Sequence, residues 1–163
     1  MRKYDLLKNK LVSQDQLCAL VESWKLQHQK VVFTNGCFDL LHLGHIDYLA
    51  KAADFGDKLI IGVNSDQSTK ALKGPGRPIT DEKSRAAILA SLFFVDAVVL
   101  FDESTPLKLI ERVKPDVLIK GADYTLEQIV GAREVISYGG EVRTLEYLPG
   151  YSTTGIEKKI KNS

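Results

Sequence analysis

Two of the three histidines in this chain flank a glycine, in the order His42, Leu43, Gly44, His45. The segment stands between an apolar run and a helical pattern, so it is expected at a helix N-terminus, where free backbone N–H groups attract phosphate. Gly44 would allow a ligand to approach the backbone closely. The two imidazoles could donate hydrogen bonds to a phosphoryl oxygen as negative charge builds on it. The spacing therefore predicts a site for phosphate chemistry.

Two other kinds of site are compatible with the same residues. Cys37, His42 and His45 could be three ligands of a zinc ion, although structural zinc usually takes four and the sequence has no second cysteine–histidine cluster. Cys37 could instead be a nucleophile with one histidine as its base, which requires a lowered thiol pKa. Both histidines could also have no catalytic or binding role and simply be surface or helix-capping residues. The residues alone leave these alternatives open.

A second candidate anion site lies at Ser152, Thr153 and Thr154. Thr154 and Glu157 have the spacing of a capping box, which predicts a helix N-terminus with Thr154 as its N-cap. Capping accounts for only one of the three hydroxyls. We therefore expect Ser152 and Thr153, together with the free N–H groups of this helix, to bind an anion.

Two further segments supply positive charge that could meet an anion. One is a predicted loop that carries Lys70, Lys73 and Arg77. The other is Lys-Gly-Ala-Asp-Tyr at 120–124, which follows an apolar run directly. The sequence lacks the phosphate-loop pattern Gly-x-x-x-x-Gly-Lys-Ser/Thr, and its Gly-Pro-Gly fragment is too short to indicate a dinucleotide site. Taken singly, each of these cations also fits a solvated surface position.

Alternating strand and helix patterns separate the candidate segments. Short apolar runs rich in β-branched residues predict strands at 31–34, 59–63, 97–100, 117–119 and 141–145. This alternation predicts an α/β fold, a single Rossmann-like, doubly wound parallel sheet of about five strands with helices on both faces. Ligands bind beyond the carboxyl ends of the strands in such folds, and the candidate segments lie in loops of that kind.

Composition and charge narrow the class of protein. The chain has 163 residues, 44% of them hydrophobic and 26% charged, which fits one folded domain and excludes a disordered or collagen-like chain. A net charge of +1 provides no overall field for nucleic acid. Two cysteines cannot form a disulfide framework, no signal peptide is evident, and the most apolar stretch, 86–101, is too short to span a bilayer. These features predict a cytoplasmic protein that binds neither nucleic acid nor membrane.

The same segments resemble a known superfamily. The pattern Gly-x-Phe-Asp-x-x-His-x-Gly-His at 36–45 matches the signature of the His-x-Gly-His nucleotidyltransferases, and Ser-Thr-Thr at 152–154 matches their C-terminal signature. Within the superfamily, the chain most closely resembles the branch that forms ADP-heptose, a precursor of lipopolysaccharide. The supporting stretches are 33–39, 62–66, 73–79, 101–106 and 117–124.

The resemblance implies that AMP is transferred from ATP to a sugar 1-phosphate, D-glycero-β-D-manno-heptose 1-phosphate in that branch, by direct in-line attack with release of pyrophosphate. Mg²⁺ is implied as a cofactor that enters with ATP and is held largely by ATP and water, and no metal ligand from the protein is predicted. The implied catalytic residues are His42, His45 and Lys73, with Lys70 the less favoured lysine. The implied nucleotide-binding residues are Asn35, Gly36, Cys37, Phe38, Asp39, His42, Gly44, His45, Lys73, Arg77, Ser152, Thr153 and Thr154. The implied substrate-binding residues are Asp39, Lys120, Gly121, Asp123 and Tyr124.

The domain organisation and partners follow from the pattern and the resemblance together. A capping box from Ser13 to Gln16 precedes an amphipathic helix, so 1–29 are expected to be an N-terminal helical extension packed on a nucleotidyltransferase domain of 30–163. The resemblance implies a homodimer. Because the branch is often fused to a sugar kinase for which this chain has no room, it also implies a separate kinase that acts upstream.

Two rival functions stay open. Tyr-Leu-Pro-Gly at 147–150 stands where the cytidylyltransferase branch tends to have Arg-Thr-Glu-Gly. The missing arginine weakens, without removing, a cytidylyltransferase that acts on glycerol 3-phosphate or a similar phosphate. The other rival is a non-catalytic nucleotide sensor, which would bind ATP and release no pyrophosphate.

Overall fold

The central element of the molecule is a parallel β-sheet. A computed structural model describes residues 2–162. Its strands are β1 (Leu11–Val12), β2 (Val31–Gly36), β3 (Lys58–Asn64), β4 (Ala97–Phe101), β5 (Val117–Gly121) and β6 (Glu141–Leu145). The described strands form one sheet in the order β1-β4-β3-β2-β5-β6, and every neighbouring pair is parallel. The doubly wound α/β architecture predicted from the alternation is confirmed.

Helices cover both faces of this sheet. The helices are α1 (Lys3–Lys10), α2 (Gln14–Leu26), α3 (Leu43–Ala53), α4 (Asp66–Lys73), α5 (Glu82–Ala90), α6 (Leu107–Val113), α7 (Ala132–Ser137) and α8 (Thr153–Lys161). One apolar cluster joins the sheet to α2, α6 and α7, and a second joins its other face to α3 and α5. The central strands are apolar on both faces because both faces are covered.

The order of the strands reverses between β2 and β5. From β2 the chain adds β3 and then β4 on one side, and later adds β5 and β6 on the other. A reversal of this kind opens a crevice at the carboxyl ends of the two strands. The histidine segment lies in the loop after β2, and Lys120 lies at the carboxyl end of β5, so the topology brings these two candidate segments to one place.

The sheet has six strands, not about five as predicted. The additional strand, β1, is only Leu11–Val12, and it extends the sheet by pairing with Val98 and Val99 of β4. Two residues are too few to show the alternation of a strand, so no strand was predicted there.

The position of the two lysines was also predicted wrongly. Lys70 and Lys73 lie on α4, not in a loop. The hydroxyl of Ser65 caps this helix by accepting a hydrogen bond from the Ser68 N–H, and the helix ends at Gly74, whose φ of 93° only glycine adopts readily. The helix is short and polar, so its sequence shows no clear helical pattern. The Gly-Pro-Gly that follows it is typical of a loop, and the whole segment was therefore predicted to be a loop.

The first 29 residues take part in the sheet and in its core. They supply β1, and Leu17 and Val21 of α2 are buried in the cluster with α6 and α7. The division at residue 29 stays a prediction, and the outermost positions of the two predicted segments, 1 and 163, lie outside the described residues. Within the described chain, no helix has both the length and the apolar character needed to cross a bilayer.

Candidate active site

A cleft of about 790 Å³ opens at the carboxyl ends of the strands. It brings together most of the site residues expected from the sequence, from all four candidate segments. Those that line it are Asn35, Gly36, Cys37, Phe38, Asp39, His42, His45, Lys73, Arg77, Lys120, Asp123, Tyr124, Ser152, Thr153 and Thr154. The two that do not line it are Gly44 and Gly121, which lie directly behind its walls.

The two histidines form a stacked pair at the start of α3. His42 is the N-cap of this helix, and its ring lies 3.8 Å from the ring of His45, centroid to centroid, at an interplanar angle of 24°. The Nδ1 of His45 accepts a hydrogen bond from the backbone N–H of His42 at 3.4 Å. A neutral imidazole that accepts at Nδ1 carries its proton on Nε2. His45 therefore has one N–H left to donate to a ligand.

Both imidazoles are held in the neutral form. Burial and, to a smaller extent, the neighbouring His42 lower the pKa of His45 to about 4. Burial also lowers the pKa of His42. The Nδ1 atom of His42 is buried and has no hydrogen-bonding partner among the described residues. A buried polar atom without a partner is unfavourable, so a ligand that pairs with it would be stabilised.

Two glycines make room for side chains of the cleft. A Cβ on Gly44 would lie 3.1 Å from the ring of His42 and 3.1 Å from Cβ of Tyr151. A Cβ on Gly121 would lie 2.3 Å from the hydroxyl and ring of Tyr147. A larger residue at either position would require the neighbouring side chain to shift, so both glycines suit the arrangement of His42 and Tyr147.

The N-terminus of α8 lies beside the loop that precedes the histidines and lines the same cleft. Its N-cap is Ser152, whose Oγ accepts a hydrogen bond from the Gly155 N–H at 3.0 Å. The predicted cap, Thr154, was wrong, because Thr154 already lies inside the first turn. The hydroxyl of Thr153 reaches the backbone oxygen of Leu40, at 3.5 Å, in the loop that precedes the histidines.

Only one of the two lysines on α4 lines this cleft. Lys73, the last residue of α4, lines the wall of the cleft. Lys70 lines a separate shallow depression with Asp66 and Asp81. The structure thus favours Lys73 as the lysine that meets a ligand in the cleft.

Asp39 and Arg77 are bound to each other and to the protein. The Asp39 carboxylate accepts hydrogen bonds from Arg77 at 3.1 Å and from the backbone N–H groups of Ile79 and Thr80 at 2.8 and 2.9 Å. Burial raises the pKa of Asp39, but these hydrogen bonds outweigh it and lower the pKa overall. Arg77 also binds the Glu157 carboxylate at 2.5 Å. Their predicted contacts with nucleotide stay predictions.

Lys120 lies at the reversal point of the sheet. Its ammonium group donates to the backbone oxygen of Asn35 at 3.3 Å and lies 5.4 Å from the centre of the Tyr124 ring. Burial lowers the pKa of Lys120, while Asp123 and Cys37 act in the opposite direction. A buried cation with a single carbonyl partner is well suited to bind an anionic group.

Several residues that line the cleft were not among the predicted site residues. Tyr147 lies in the loop after β6 and packs 5.3 Å from Tyr48, and the hydroxyl of Tyr48 is hydrogen-bonded to Thr34 Oγ1 at 2.9 Å. Burial raises the pKa of Tyr147 to about 12. The only available hint was that Tyr147 follows a predicted strand, since loops at that end line the crevice. The others that line it are Asn64, Thr69, Leu72, Ser104, Thr105, Pro106, Gln128, Val130 and Tyr151.

The geometry does not support the zinc and thiol alternatives. Within residues 2–162, no three His, Cys, Asp or Glu side chains form a group suited to a metal ion, so Cys37, His42 and His45 do not make a zinc site. The thiol of Cys37 contacts Asn64 Oδ1 at 3.8 Å, whereas the two imidazoles contact each other. A cysteine nucleophile would need one of those imidazoles as its base.

Comparison with known proteins places the chain in a family. A family model described as cytidylyltransferase-like matches residues 33–159. The bifunctional protein HldE of Methylobacillus flagellatus is 51% identical over 152 residues, which are 93% of this chain and 31% of that protein. HldE of Geobacter metallireducens is 54% identical over 151 residues, with the same shares. The chain thus spans about a third of the length of these curated relatives.

Solved structures agree with this assignment. A lipopolysaccharide core biosynthesis protein from Thermoplasma volcanium is 32% identical, with a TM-score of 0.58 over 74% of this chain and 97% of that one. The pantoate-beta-alanine ligase of Francisella tularensis is 17% identical, with a TM-score of 0.62 over 93% of this chain and 76% of that one, and shares the fold. The chain belongs to the cytidylyltransferase-like family of nucleotidyltransferases.

Proposed function

We propose that this chain transfers AMP from ATP to a sugar 1-phosphate, releasing pyrophosphate, and that the sugar is D-glycero-β-D-manno-heptose. The observation that carries the proposal is the meeting of a neutral histidine pair, Lys73 and the N-terminus of α8 in one cleft. The names of the relatives support a sugar phosphate acceptor, because one is a lipopolysaccharide core biosynthesis protein and the others are HldE proteins.

The phosphate end of the cleft supplies electrostatic stabilisation. His45 would donate its Nε2 hydrogen to an oxygen on the α-phosphorus, where negative charge grows as the acceptor attacks. Lys73 and the free N–H groups at the start of α8 would hold the β- and γ-phosphates. No covalent intermediate is needed, so catalysis consists of holding the two phosphates in line and stabilising the transition state.

Mg²⁺ fits this cleft as a companion of the triphosphate. The described residues bring together no three metal-binding side chains, so the ion would be held by phosphate oxygens and water. When bound, it would neutralise phosphate charge and favour departure of pyrophosphate.

The acceptor would bind near Lys120. Its half-buried ammonium group would pair with the phosphate of the sugar phosphate, and Asp123, Tyr124 and Tyr147 would face the sugar hydroxyls and ring. The same proposal includes a homodimer and a sugar kinase activity, acting upstream, that supplies the 1-phosphate. HldE proteins are named bifunctional, and this chain matches 31% of their length.

A pyrophosphate-release assay tests the proposal. ATP or CTP would each be offered with the β anomer of heptose 1-phosphate, with glycerol 3-phosphate, or without acceptor, in the presence of Mg²⁺. Release only with ATP and the heptose 1-phosphate supports it. If folded protein that binds ATP releases no pyrophosphate in any combination, the proposal is contradicted and the nucleotide sensor is favoured.

The family name supports one rival. Because the matching family is described as cytidylyltransferase-like, CTP with glycerol 3-phosphate or a similar phosphate is the second candidate pair of substrates. Release of pyrophosphate only with CTP would establish it in place of the adenylyltransferase.

A further inference from the structure

Three segments are proposed to hold the triphosphate: the lysine segment, the histidine segment and the start of α8. Arg77 belongs to the first and is hydrogen-bonded to the other two. It lies four residues after Lys73. One of its terminal nitrogens binds Asp39, three residues before His42, at 3.1 Å. The other binds Glu157 of α8 at 2.5 Å. A single guanidinium group therefore connects the lysine segment, the histidine segment and the helix that begins at Ser152.

The position of α8 depends on contacts of this kind. None of its residues, Thr153–Lys161, is fully buried, so apolar packing holds it weakly. The side chain of Thr153 donates to the Leu40 oxygen at 3.5 Å, and the Glu157 carboxylate accepts from Arg77 at 2.5 Å, so both join α8 to other segments. The shorter of these is the charged pair, which is also the stronger kind of hydrogen bond.

The Asp39 carboxylate, which Arg77 binds on the side away from α8, is held firmly by the rest of the protein. The side chain of Asp39 is 6% exposed, that of Arg77 is 20% exposed, and that of Glu157 is 28% exposed. Asp39 is itself held by the backbone N–H groups of Ile79 and Thr80. The guanidinium thus has a rigid carboxylate on one side and the marginally packed helix on the other.

We infer that Arg77 is a positioning residue, a clasp that holds the N-terminus of α8 against the histidine loop through Glu157. Each terminal nitrogen of its guanidinium binds one carboxylate, so Arg77 orders the elements that are proposed to bind phosphate. The catalytic consequence rests on the function proposed above, whereas the effect on α8 does not.

The test compares three variants of purified full-length chain. Glu157→Gln removes the charge that Arg77 binds, and Glu157→Asp keeps it. Lys161→Gln is the matched control, because Lys161 binds the other oxygen of the same carboxylate at 2.7 Å but lies 71% exposed. Hydrogen–deuterium exchange of the 153–161 amides without nucleotide, and KM and kcat for ATP in the pyrophosphate assay, are measured for each.

The clasp predicts faster exchange in α8 for Glu157→Gln, by about threefold or more, and a KM for ATP raised about threefold to tenfold with a smaller change in kcat. Glu157→Asp is expected to recover part of both effects, and Lys161→Gln to show neither. Unchanged exchange, or a Glu157→Asp variant that behaves as Glu157→Gln does, overturns the inference. So does a lowered KM in Glu157→Gln, because that result would mean Glu157 restrains an Arg77 that binds phosphate. A wild-type chain silent in the assay would contradict the proposed function alone, since the exchange measurement still tests the clasp.

Discussion

At the scale of single residues, the site depends on two neutral imidazoles. Burial disfavours protonation of both His42 and His45, and the stacked ring of His42 adds to this effect on His45. A neutral ring still donates one N–H, and His45 uses its Nδ1 to accept from the protein, so its donor is fixed at Nε2. The tautomer needed for a phosphate contact is therefore set before a ligand binds.

His45→Ala is expected to lower kcat about a hundredfold to a thousandfold, the usual effect of removing one donor to a developing negative charge. The midpoint of thermal unfolding is expected to change little, because the ring is only partly buried. The measurement is steady-state pyrophosphate release together with a thermal melt. His28→Asn is the matched control, since His28 lies on the surface and its φ of 58° suits asparagine. A folded His45→Ala variant with near wild-type turnover would exclude the catalytic role.

The protonation of His45 gives a second prediction. NMR titration of the labelled imidazoles is expected to show a pKa of about 4 for His45 without ligand, and a higher value with ATP, because phosphate charge favours the imidazolium. The folded pKa lies below the ordinary 6.5, so as pH falls the unfolded chain takes up the proton first. The free energy of unfolding should therefore decrease between about pH 6.5 and 4. A midpoint near 6.5 without ligand would contradict the buried, stacked geometry.

At the scale of elements, the ends of two helices bring charge and N–H groups to the cleft. The helix α4 ends with Lys73, and α8 begins after Ser152. Neither end was placed correctly from the sequence, since Lys73 was expected in a loop and the cap was expected at Thr154. The start of α8 nevertheless lines the cleft, because a shift of two residues in a helix boundary moves its terminus by only a few ångströms. Lys73 lines the cleft because α4 ends there.

The two lysines of α4 should separate in a kinetic test. Lys73→Gln is expected to raise the KM for ATP about tenfold or more, as for loss of a charged hydrogen bond to phosphate. Lys70→Gln, the matched control one turn earlier, should change it less than twofold because Lys70 lines a different depression. The measurement is the KM for ATP of both variants at fixed acceptor concentration. Equal effects would show that both lysines reach the triphosphate.

At the scale of the whole molecule, the reversal of strand order decides where the site is. Asn35 of β2 and Lys120 of β5 meet at that reversal, although 85 residues separate them. The N-terminal segment completes the same unit, because β1 covers the edge of β4 and α2 supplies buried leucine and valine to the core. The segment is thus part of the folding unit that positions the cleft.

Leu17→Ala measures that contribution. Leu17 is 0% exposed, so the substitution is expected to lower the free energy of unfolding by about 2–5 kcal/mol. Leu26→Ala in the same helix is the control, since Leu26 is 83% exposed and its loss should change the free energy by less than about 0.5 kcal/mol. Urea unfolding of both variants gives the two values. A Leu17→Ala change as small as that of Leu26→Ala would show that the extension contributes little to the stability of the domain.

The sequence by itself determined the local features of this protein. Apolar runs between helical patterns predicted the parallel α/β sheet, because each run needs only its own residues to be recognised. The spacing of His42 and His45, and the three hydroxyls at 152–154, predicted groups that the structure then placed in one cleft. Such patterns are readable because neighbours in the chain share one turn or one loop.

Only the tertiary structure decided which distant residues meet. Arg77 and Glu157 are 80 residues apart, and Arg77 and Asp39 are 38 apart, so no period or motif links them. The packing of Tyr147 against Gly121 and the pairing of β1 with β4 also depend on the tertiary structure. Charge pairing and close packing between remote segments depend on the order of strands in the sheet, and that order is set by the packing of the whole chain. This is why the sequence identified the groups that could bind phosphate but not the contacts that hold those groups together.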